Sequence, residues 1–433
     1  MIDIKLIREQ PELVEENMRK KNQEGKLHLV REARDKDAQW REIKQQIDKL
    51  RHERNTISKE INKTKKDMKE KPELKDRFQE LVTQAKEIPQ QIRDLEGKAD
   101  EIHKEVKDLQ YQIPNIMHKD VPIGKDDSEN VEVKRWGEPK QFDFEVKPHQ
   151  QIATELDGAD FESAAETSGA GFYYLQGDVA RLNQALIQYA ISHMSSKGYL
   201  YVETPLLLNG NVMKNVTDIH DRENMIYKIE DEDLYLIGTS EHSLIGRYLD
   251  SFIEEKDLPI KQTSYSMCFR KEKGSHGLDE RGLFRTHQFN KVEMVVICRP
   301  EESMNVYEEM KTITIDIFRN LELPVRDLAI CSGDLGDLKH IQSDIEVWSP
   351  RREEYVEVGS CSNLTDSQSQ LLGIRVKTPK GTFYPHTLNN TAIATSRALV
   401  AILENFQNED GSVTIPQVLR PYMGGQERIE KKK

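Results

Sequence analysis

The feature that most constrains this chain is a sustained 3.5-residue period of apolar side chains between residues 40 and 109. One series runs Trp40, Ile43, Ile47, Leu50, Ile57, Ile61 and Met68, with Arg54 and Thr64 at two weak seam positions. A second runs Leu74, Phe78, Leu81, Ala85, Ile88, Ile92, Leu95, Ala99, Ile102, Val106 and Leu109. Spacings that alternate three and four over about five heptads are the seam of a coiled coil. Residues 69–72 separate the series, and Pro72 suits the first turn of a new helix, where its missing N–H leaves no bond unmade. Two helices joined by so short a turn run antiparallel. Helices of about 40 residues extend about 60 Å at 1.5 Å per residue, so the hairpin is expected to project as an arm. Pro89 falls inside the second helix and is expected to kink it, at up to ~3 kcal/mol unless compensated.

The hairpin also accounts for an unusual composition. The 433 residues carry 63 basic and 76 acidic side chains, a net charge of −13, and only 36% are apolar. Residues 27–110 hold 21 of the basic and 19 of the acidic ones, a net of +2, which leaves −15 for the rest. The tip, residues 49–77, has 11 basic against 6 acidic residues, a net of +5. A net of −13 taken globally speaks against a nucleic-acid partner, but such binding needs a local basic surface, not a basic chain. From the hairpin alone two readings stand: a solvated, dimerising coiled coil, or an arm that reaches a polyanion. The length suits two or three domains and needs no disulfide or metal staple.

Cys268, Cys298, Cys331 and Cys361 are isolated, with no C-x-x-C pair. That points to a reducing compartment and provides no zinc framework. No apolar run approaches the ~18 residues of a membrane span. The N-terminus, MIDIKLIREQPE, reads as neither signal nor transit peptide, so a cytoplasmic location is expected.

Beyond a polar linker at 124–130 the pattern becomes mixed α and β. Helices are expected over 178–196, 306–319 and 396–408, and strands over 199–204, 234–237, 264–269 and 283–296. No G-x-G-x-x-G and no G-x-x-x-x-G-K-[ST] occurs, which argues against Rossmann and P-loop nucleotide sites. The chemistry concentrates in FRKEKGSHGLDERGLFRTHQFNKVEM, residues 269–294. Strand periodicity puts Arg270 and Glu272 on one face, and Arg285, Phe289 and Glu293, spaced four and four, on one face. Residues 273–282 form a loop between them. Two arginines, two carboxylates and an aromatic ring on one sheet face suit a nucleoside-triphosphate floor, with arginines clamping phosphates and the ring stacking on a base. An exposed ladder of ion pairs would look the same. Glu357 and Ser360 are hard oxygen ligands of the kind Mg²⁺ accepts beside ATP phosphates, although a simple turn explains EVGS equally well. The small polar run 389–396 precedes a helix opening with Arg397; a helix cap and a solvated arginine would also account for it.

These residues together resemble the motifs of class II aminoacyl-tRNA synthetases. Phe269-Arg270-x-Glu272, a loop, then Arg285, Phe289 and Glu293 resembles motif 2. The run from Asn389 to Arg397 is similar to motif 3, and the helix from Asp178 with the following strand and Pro205 to motif 1. Within the class, Thr239-Ser240-Glu241, EVGSCSN at 357–363, RWGEP at 135–139 and the N-terminal hairpin resemble the seryl-tRNA synthetase family. The resemblance implies an α+β fold: an antiparallel sheet flanked by helices, with an N-terminal coiled-coil arm over 1–115 and a catalytic domain over 116–433. It implies ATP-dependent formation of seryl-adenylate and transfer of serine to the 3′-terminal adenosine of tRNA(Ser), with tRNA(Sec) as a further expected acceptor. It implies a homodimer joined largely through motif 1, with no membrane association. Carried over residue by residue, Arg270, Arg285 and Arg397 are the catalytic phosphate ligands. Lys271, Glu272, Phe289, Val358 and Gly359 complete the ATP site, and Glu357 and Ser360 bind Mg²⁺. Thr239, Ser240, Glu241, Glu293, Asn389 and Thr391 surround serine.

Such chemistry needs in-line positioning and charge neutralisation, and no protein nucleophile or general base. His220, His242, His276 and His287 are therefore expected in structural or surface roles. Gly359 stands where a second serine is common in the family. The absence of Cys/His ligand sets disfavours a zinc-dependent form, and residues 426–433 are too few for an added domain. Two rivals remain: a paralogue that loads another carrier would lack the arm, and a retired scaffold would have lost Arg270, Glu272, Arg285 or Arg397.

Overall fold

The computed structural model describes residues 2–217, 224–272 and 282–431. His220, His276 and residues 273–281 of the expected loop lie outside the described residues. The chain divides into two compact units, Met1–Pro114 and Asn115–Lys433.

In the first unit two short helices precede α1 (His28–Asp67) and α2 (Lys75–Gln112). Pro72 opens the short 3₁₀ turn between them. Ile47, Ile57, Leu81, Ile88, Ile92 and Ala99 are buried in the seam, with Trp40, Ile43, Leu50, Ile61, Ala85 and Leu95 packed against them. Trp40 stacks on His103 with ring centroids 5.0 Å apart. The cross-helix ion pairs Lys36–Glu105, Arg51–Glu96 and Glu60–Arg77 rise in number on α1 as they fall on α2, which is antiparallel pairing. Exposed pairs of this kind contribute at most ~1 kcal/mol each, so the apolar seam holds the hairpin. Helix α2 continues through Pro89, and Ile88 and Ile92 on either side remain in the seam.

The second unit is built on one sheet: β1 (Val131–Trp136), β2 (Leu200–Tyr201), β3 (Ile260–Phe269), β4 (Gln288–Cys298), β5 (Val325–Ala329), β6 (Ile341–Ser349), β7 (Glu354–Asn363) and β8 (His386–Ala394). The order across the sheet is β1-β5-β6-β7-β8-β4-β3-β2, and every pairing is antiparallel except β2 with β3. The helices that matter here are α3 (Gly177–Ser196), α4 (Ser240–Gly246), α5 (Ser303–Asn320) and α6 (Thr395–Asn405). Val292, Met294 and Val296 of β4 join side chains of α3, α5 and α6 in the main core. The alternate residues Phe289, Lys291 and Glu293 face a cleft instead. Period-two alternation thus splits β4 between core and site. Helix α6, rich in Ala and Leu with no Gly or Pro, is buried along its length except at Arg397. No helix among the described residues is long and apolar enough to cross a membrane.

Several elements differ from the sequence expectation. The strand expected over 199–204 pairs only at Leu200–Tyr201, and the one expected from 283 begins at Gln288. Arg270, Glu272 and Arg285 consequently lie beyond the strand ends, and Glu272 takes a left-handed φ of +45°. Its approach to the site is set by that left-handed backbone, not by strand alternation. Glu357–Ser360 is no turn: it lies inside β7, where a bulge against β6 pairs Gly359 with Ile345 and Glu357 with Glu346. The extra residue, Val358, is buried in the core. It offsets the alternation so that Glu357 and Ser360, three apart, both face the cleft.

Candidate active site

The cleft has two adjoining parts. The larger, 390 Å³, is lined by Thr239, Glu241, His242, Arg270, Lys291, Glu293, Asp344, Glu357, Ser360, Gln368, Asn389 and Thr391, among others. The smaller, 70 Å³, is lined by Arg270, Glu272, Phe284, Arg285, Phe289, Val358, Gly359 and Arg397, among others. Arg270, Lys291, Glu357 and Thr391 line both.

The larger part has an acidic floor built from α4 and β4 and braced by β8 and by Gln368 of the helix Ser367–Leu372. Thr239 caps α4: its Oγ1 accepts the backbone N–H of Glu241 and donates to Oε2 of Glu293, both at 3.2 Å. Thr391 on β8 stands opposite Glu293 on β4, and its hydroxyl donates to the same oxygen at 3.4 Å. Lys291 pairs with Glu293 from the adjacent position on the same strand face. Glu241 accepts from Gln368 Nε2 at 2.8 Å and Asn389 Nδ2 at 2.9 Å. Burial, and then the charge of Glu293, push the Glu241 carboxyl up to about 7. This is a desolvated pair of carboxylates aimed into a cavity, an arrangement suited to an ammonium group.

The smaller part is cationic and aromatic. The Arg270 guanidinium lies 5.4 Å from the centroid of Phe289 and donates from Nε to the carbonyl of Gly238 at 3.2 Å. Arg397 reaches Oε2 of Glu357 at 3.1 Å and stacks 5.2 Å from the Phe284 ring. Arg352 covers the same ring at 4.8 Å. Exposed Arg285 projects from the leg leading into β4. A Cβ on Gly359 would lie 3.2 Å from the Thr391 carbonyl, so glycine suits the tight pairing there.

Between the two parts sit the hard oxygens. Asp344 on β6 pairs in register with Ser360 on β7. Burial and the neighbouring Glu357 push Asp344 up to about 7. Burial acts upward on Glu357 too, but Arg397 and then Arg270 hold it below the usual carboxylate range. Ser360 Oγ is buried without a hydrogen-bond partner among the described residues. Two carboxylates and an unpartnered hydroxyl fit Mg²⁺, which favours hard oxygen donors. They do not make a full cage: no group of three His, Cys, Asp or Glu side chains able to hold a metal occurs among the described residues. Phosphate and water oxygens would have to complete six-fold coordination.

Most residues expected from the sequence come together here. Ser240 does not: its side chain is fully buried and donates to the Ser264 carbonyl at 3.3 Å, away from the cleft lining. Lys271 lines neither part, and its ammonium lies 5.9 Å from the Tyr227 ring. His287 accepts or donates at Nδ1 with Tyr227 Oη and the Arg270 carbonyl, each at 3.0 Å, and so braces the Arg270 backbone. His242 lines the cleft, where burial and then Arg270 push it down to about 3. Sequence reading passed over Lys291, Phe284, Asp344 and Gln368. Lys291 was detectable, since it falls midway between Phe289 and Glu293 on one strand face. Asp344 and Gln368 lie on elements with no local signal for the site.

Two family models match the chain: the "Seryl-tRNA synthetase N-terminal domain" over residues 1–117 and the "tRNA synthetase class II core domain (G, H, P, S and T)" over 227–406. A serine–tRNA ligase of Methanocella arvoryzae is 46% identical over 99% of this chain and 100% of its own. The chain belongs to the seryl-tRNA synthetase family. A crystal structure of the Pyrococcus horikoshii seryl-tRNA synthetase complexed with ATP aligns over 100% of both chains, with a TM-score of 0.92 and 40% identity. The Naegleria fowleri cytoplasmic enzyme in complex with AMP aligns over 100% of this chain and 99% of its own, with a TM-score of 0.87 and 33% identity. The fold is thus that of a class II synthetase core with long N-terminal helices, and the protein is a serine–tRNA ligase.

Proposed function

We propose that the bipartite cleft makes seryl-adenylate from serine and ATP and then passes the seryl group to the 3′-terminal adenosine of tRNA(Ser). The observation that carries this is the juxtaposition of the two parts: a buried Glu241–Glu293 floor for an ammonium beside Arg270, Arg285 and Arg397 for a triphosphate. Serine binds with its ammonium facing Glu241, Glu293 and Thr239, and with its hydroxyl toward Asn389 and Thr391. Its carboxylate then points at Arg270, where the α-phosphate is held. ATP lies in the smaller part, with its adenine against Phe289 and its amino group read by Glu272. Val358 and Gly359 lend main chain to the wall. Arg285 and Arg397 hold the outer phosphates.

Attack by the serine carboxylate on the α-phosphate requires alignment and neutralisation of the departing pyrophosphate, which arginines supply without proton transfer. Glu357, Ser360 and Asp344 would hold Mg²⁺, which adds to that neutralisation when bound. A pocket built for the serine hydroxyl rejects alanine and glycine because its polar groups are left unpaired, and excludes threonine by size. The α1–α2 hairpin, with its tip net of +5, is the tRNA-binding arm. Its charge is suited to phosphate contacts. A homodimer in the cytoplasm, with tRNA(Sec) as a second acceptor, completes the reading. The deciding experiment is ATP–pyrophosphate exchange with a panel of amino acids. Exchange dependent on serine alone is expected, and exchange driven equally by alanine or threonine would overturn the specificity assignment.

A further inference from the structure

The leg that brings Phe284 and Arg285 into the smaller cavity is tied down by a buried network that the adenylation chemistry does not use. Leu283 donates its backbone N–H to Nε2 of His149 at 3.2 Å. His149 is 2% exposed. Because Nε2 accepts, the neutral ring carries its proton on Nδ1, and Nδ1 donates to Oε1 of Glu404 at 3.0 Å. Glu404, 1% exposed, also accepts from Ser349 Oγ at 2.8 Å, and Arg351 approaches it at 3.4 Å. Burial pushes the Glu404 carboxyl up, but His149 and then Ser349 hold it below the usual range, so it remains a charged acceptor. Gly282 passes so close, with φ of +95°, that a Cβ there would collide with His149 and Gln150.

Glu404 and Arg397 sit on the same helix, α6. Arg397 stacks on the Phe284 ring at 5.2 Å, and Glu404 reaches the preceding residue through His149. One buried helix therefore grips the leg at two successive residues, one by the ring and one by the main chain. We propose that His149 is a positioning residue for ATP: it fixes the backbone at Leu283 to α6 so that Phe284 and Arg285 stand opposite Arg397. The inference rests on the assignment of that cavity to ATP. A clamp misplaced by about 1 Å can cost on the order of a hundredfold, which makes such a tether kinetically visible.

Two substitutions separate the two ring nitrogens. In His149→Asn the amide replaces Nδ1, keeping the bond to Glu404 and losing the one to Leu283. In His149→Gln it replaces Nε2, keeping an acceptor for Leu283 and losing only the side-chain bond to Glu404; the backbone N–H of residue 149, which donates to Oε1 of Glu404 at 3.4 Å, still ties it to α6. Pyrophosphate exchange on the full-length protein, with KM measured separately for ATP and serine, is the readout. His149→Asn is expected to raise KM for ATP at least tenfold with KM for serine within twofold, while His149→Gln stays within about threefold for both. A folded His149→Asn with unchanged ATP kinetics would overturn the proposal, as would ATP and serine parameters falling together. If His149→Asn does not fold, His149→Gln decides: near-normal KM for ATP supports the tether, and a tenfold rise refutes it. Arg285→Ala is the control. An unchanged KM for ATP in that variant sinks the ATP assignment itself, whereas a crippled Arg285→Ala beside a normal His149→Asn sinks only the tether.

Discussion

Glu241→Gln tests the acidic floor most directly. The amide oxygen of glutamine can still accept from Gln368 and Asn389, which now donate to Oε1 at 2.8 and 2.9 Å. Packing is preserved and only the charge is lost. A hydrogen bond to a charged partner contributes about 1.5–3 kcal/mol, so KM for serine at pH 8 should rise roughly 10- to 150-fold. KM for ATP should move little. The pH dependence supplies a second reading. Burial and Glu293 push Glu241 up to about 7 in the free protein, so below that pH the ammonium of serine in the proposed pose would meet a neutral acid. Wild-type KM for serine should rise as pH falls below 7, with a limiting slope of about tenfold per unit, and the variant should lack this limb. Stability moves in the opposite sense. A carboxyl raised from 4.5 to about 7 by folding contributes stability that is full below pH 4.5 and lost as pH rises through 7. The unliganded variant should therefore melt higher than wild type at pH 8, by up to ~3 kcal/mol. Steady-state exchange across pH 5.5–8.5 and thermal melts decide the matter. Wild-type serine KM in the variant, or an acid limb that survives the substitution, would refute the role given to Glu241.

Three further outcomes are expected. Arg397→Ala removes both the contact to Glu357 and the stack on Phe284, and should lower kcat/KM for ATP at least a hundredfold by pyrophosphate exchange, leaving KM for serine near wild type. Asp344→Asn should raise the Mg²⁺ concentration for half-maximal exchange about tenfold, since one of the two carboxylates beside Ser360 is lost. Deleting residues 29–108 should leave serine-dependent exchange intact and abolish tRNA aminoacylation; charging that survives would make the hairpin a structural device.

The hairpin was legible in the sequence because its stabilising interaction repeats. Every third or fourth residue of both series must be apolar, and Ile47, Ile57, Leu81, Ile88, Ile92 and Ala99 are the buried seam that follows. Of the second unit's helices, the long α3, α5 and α6 were legible, whereas the seven-residue α4 is too short to show a period and was not. The sheet of that unit was only partly legible. β6 and β7 carry Gln342, Asp344, Glu357, Ser360 and Ser362 toward the cleft, and a strand whose second face is a polar site loses the alternation that marks a half-buried strand. Arg270, Glu272 and Arg285 could be named because they lie close together in the chain, yet their strand geometry could not be trusted, since all three lie past the strand ends. Ser240 shows the converse limit: its neighbours Thr239 and Glu241 line the cleft, while the first turn of α4 directs its own side chain into the protein.

The bulge in β7 explains why the two halves of the site can meet. An unbroken strand would send Glu357 and Ser360 to opposite faces, one to the core and one to the cleft. Burying Glu357 in an apolar core without a partner would cost several kcal/mol, and its contact with Arg397 would be lost. Placing the extra residue at Val358 keeps a valine in the core and returns both oxygens to the cleft. There Glu357 faces Arg397 on one side and Asp344 on the other, so the anion that holds an arginine also repels a second carboxylate. A divalent cation bound there would relieve that repulsion at pH 8, where a proton would not. Free Asp344, pushed up to about 7, is the group whose protonation should compete with the metal. Mg²⁺ dependence of exchange should consequently steepen below pH 7, and a metal requirement that is flat from pH 6 to 8 would remove Asp344 from the metal site.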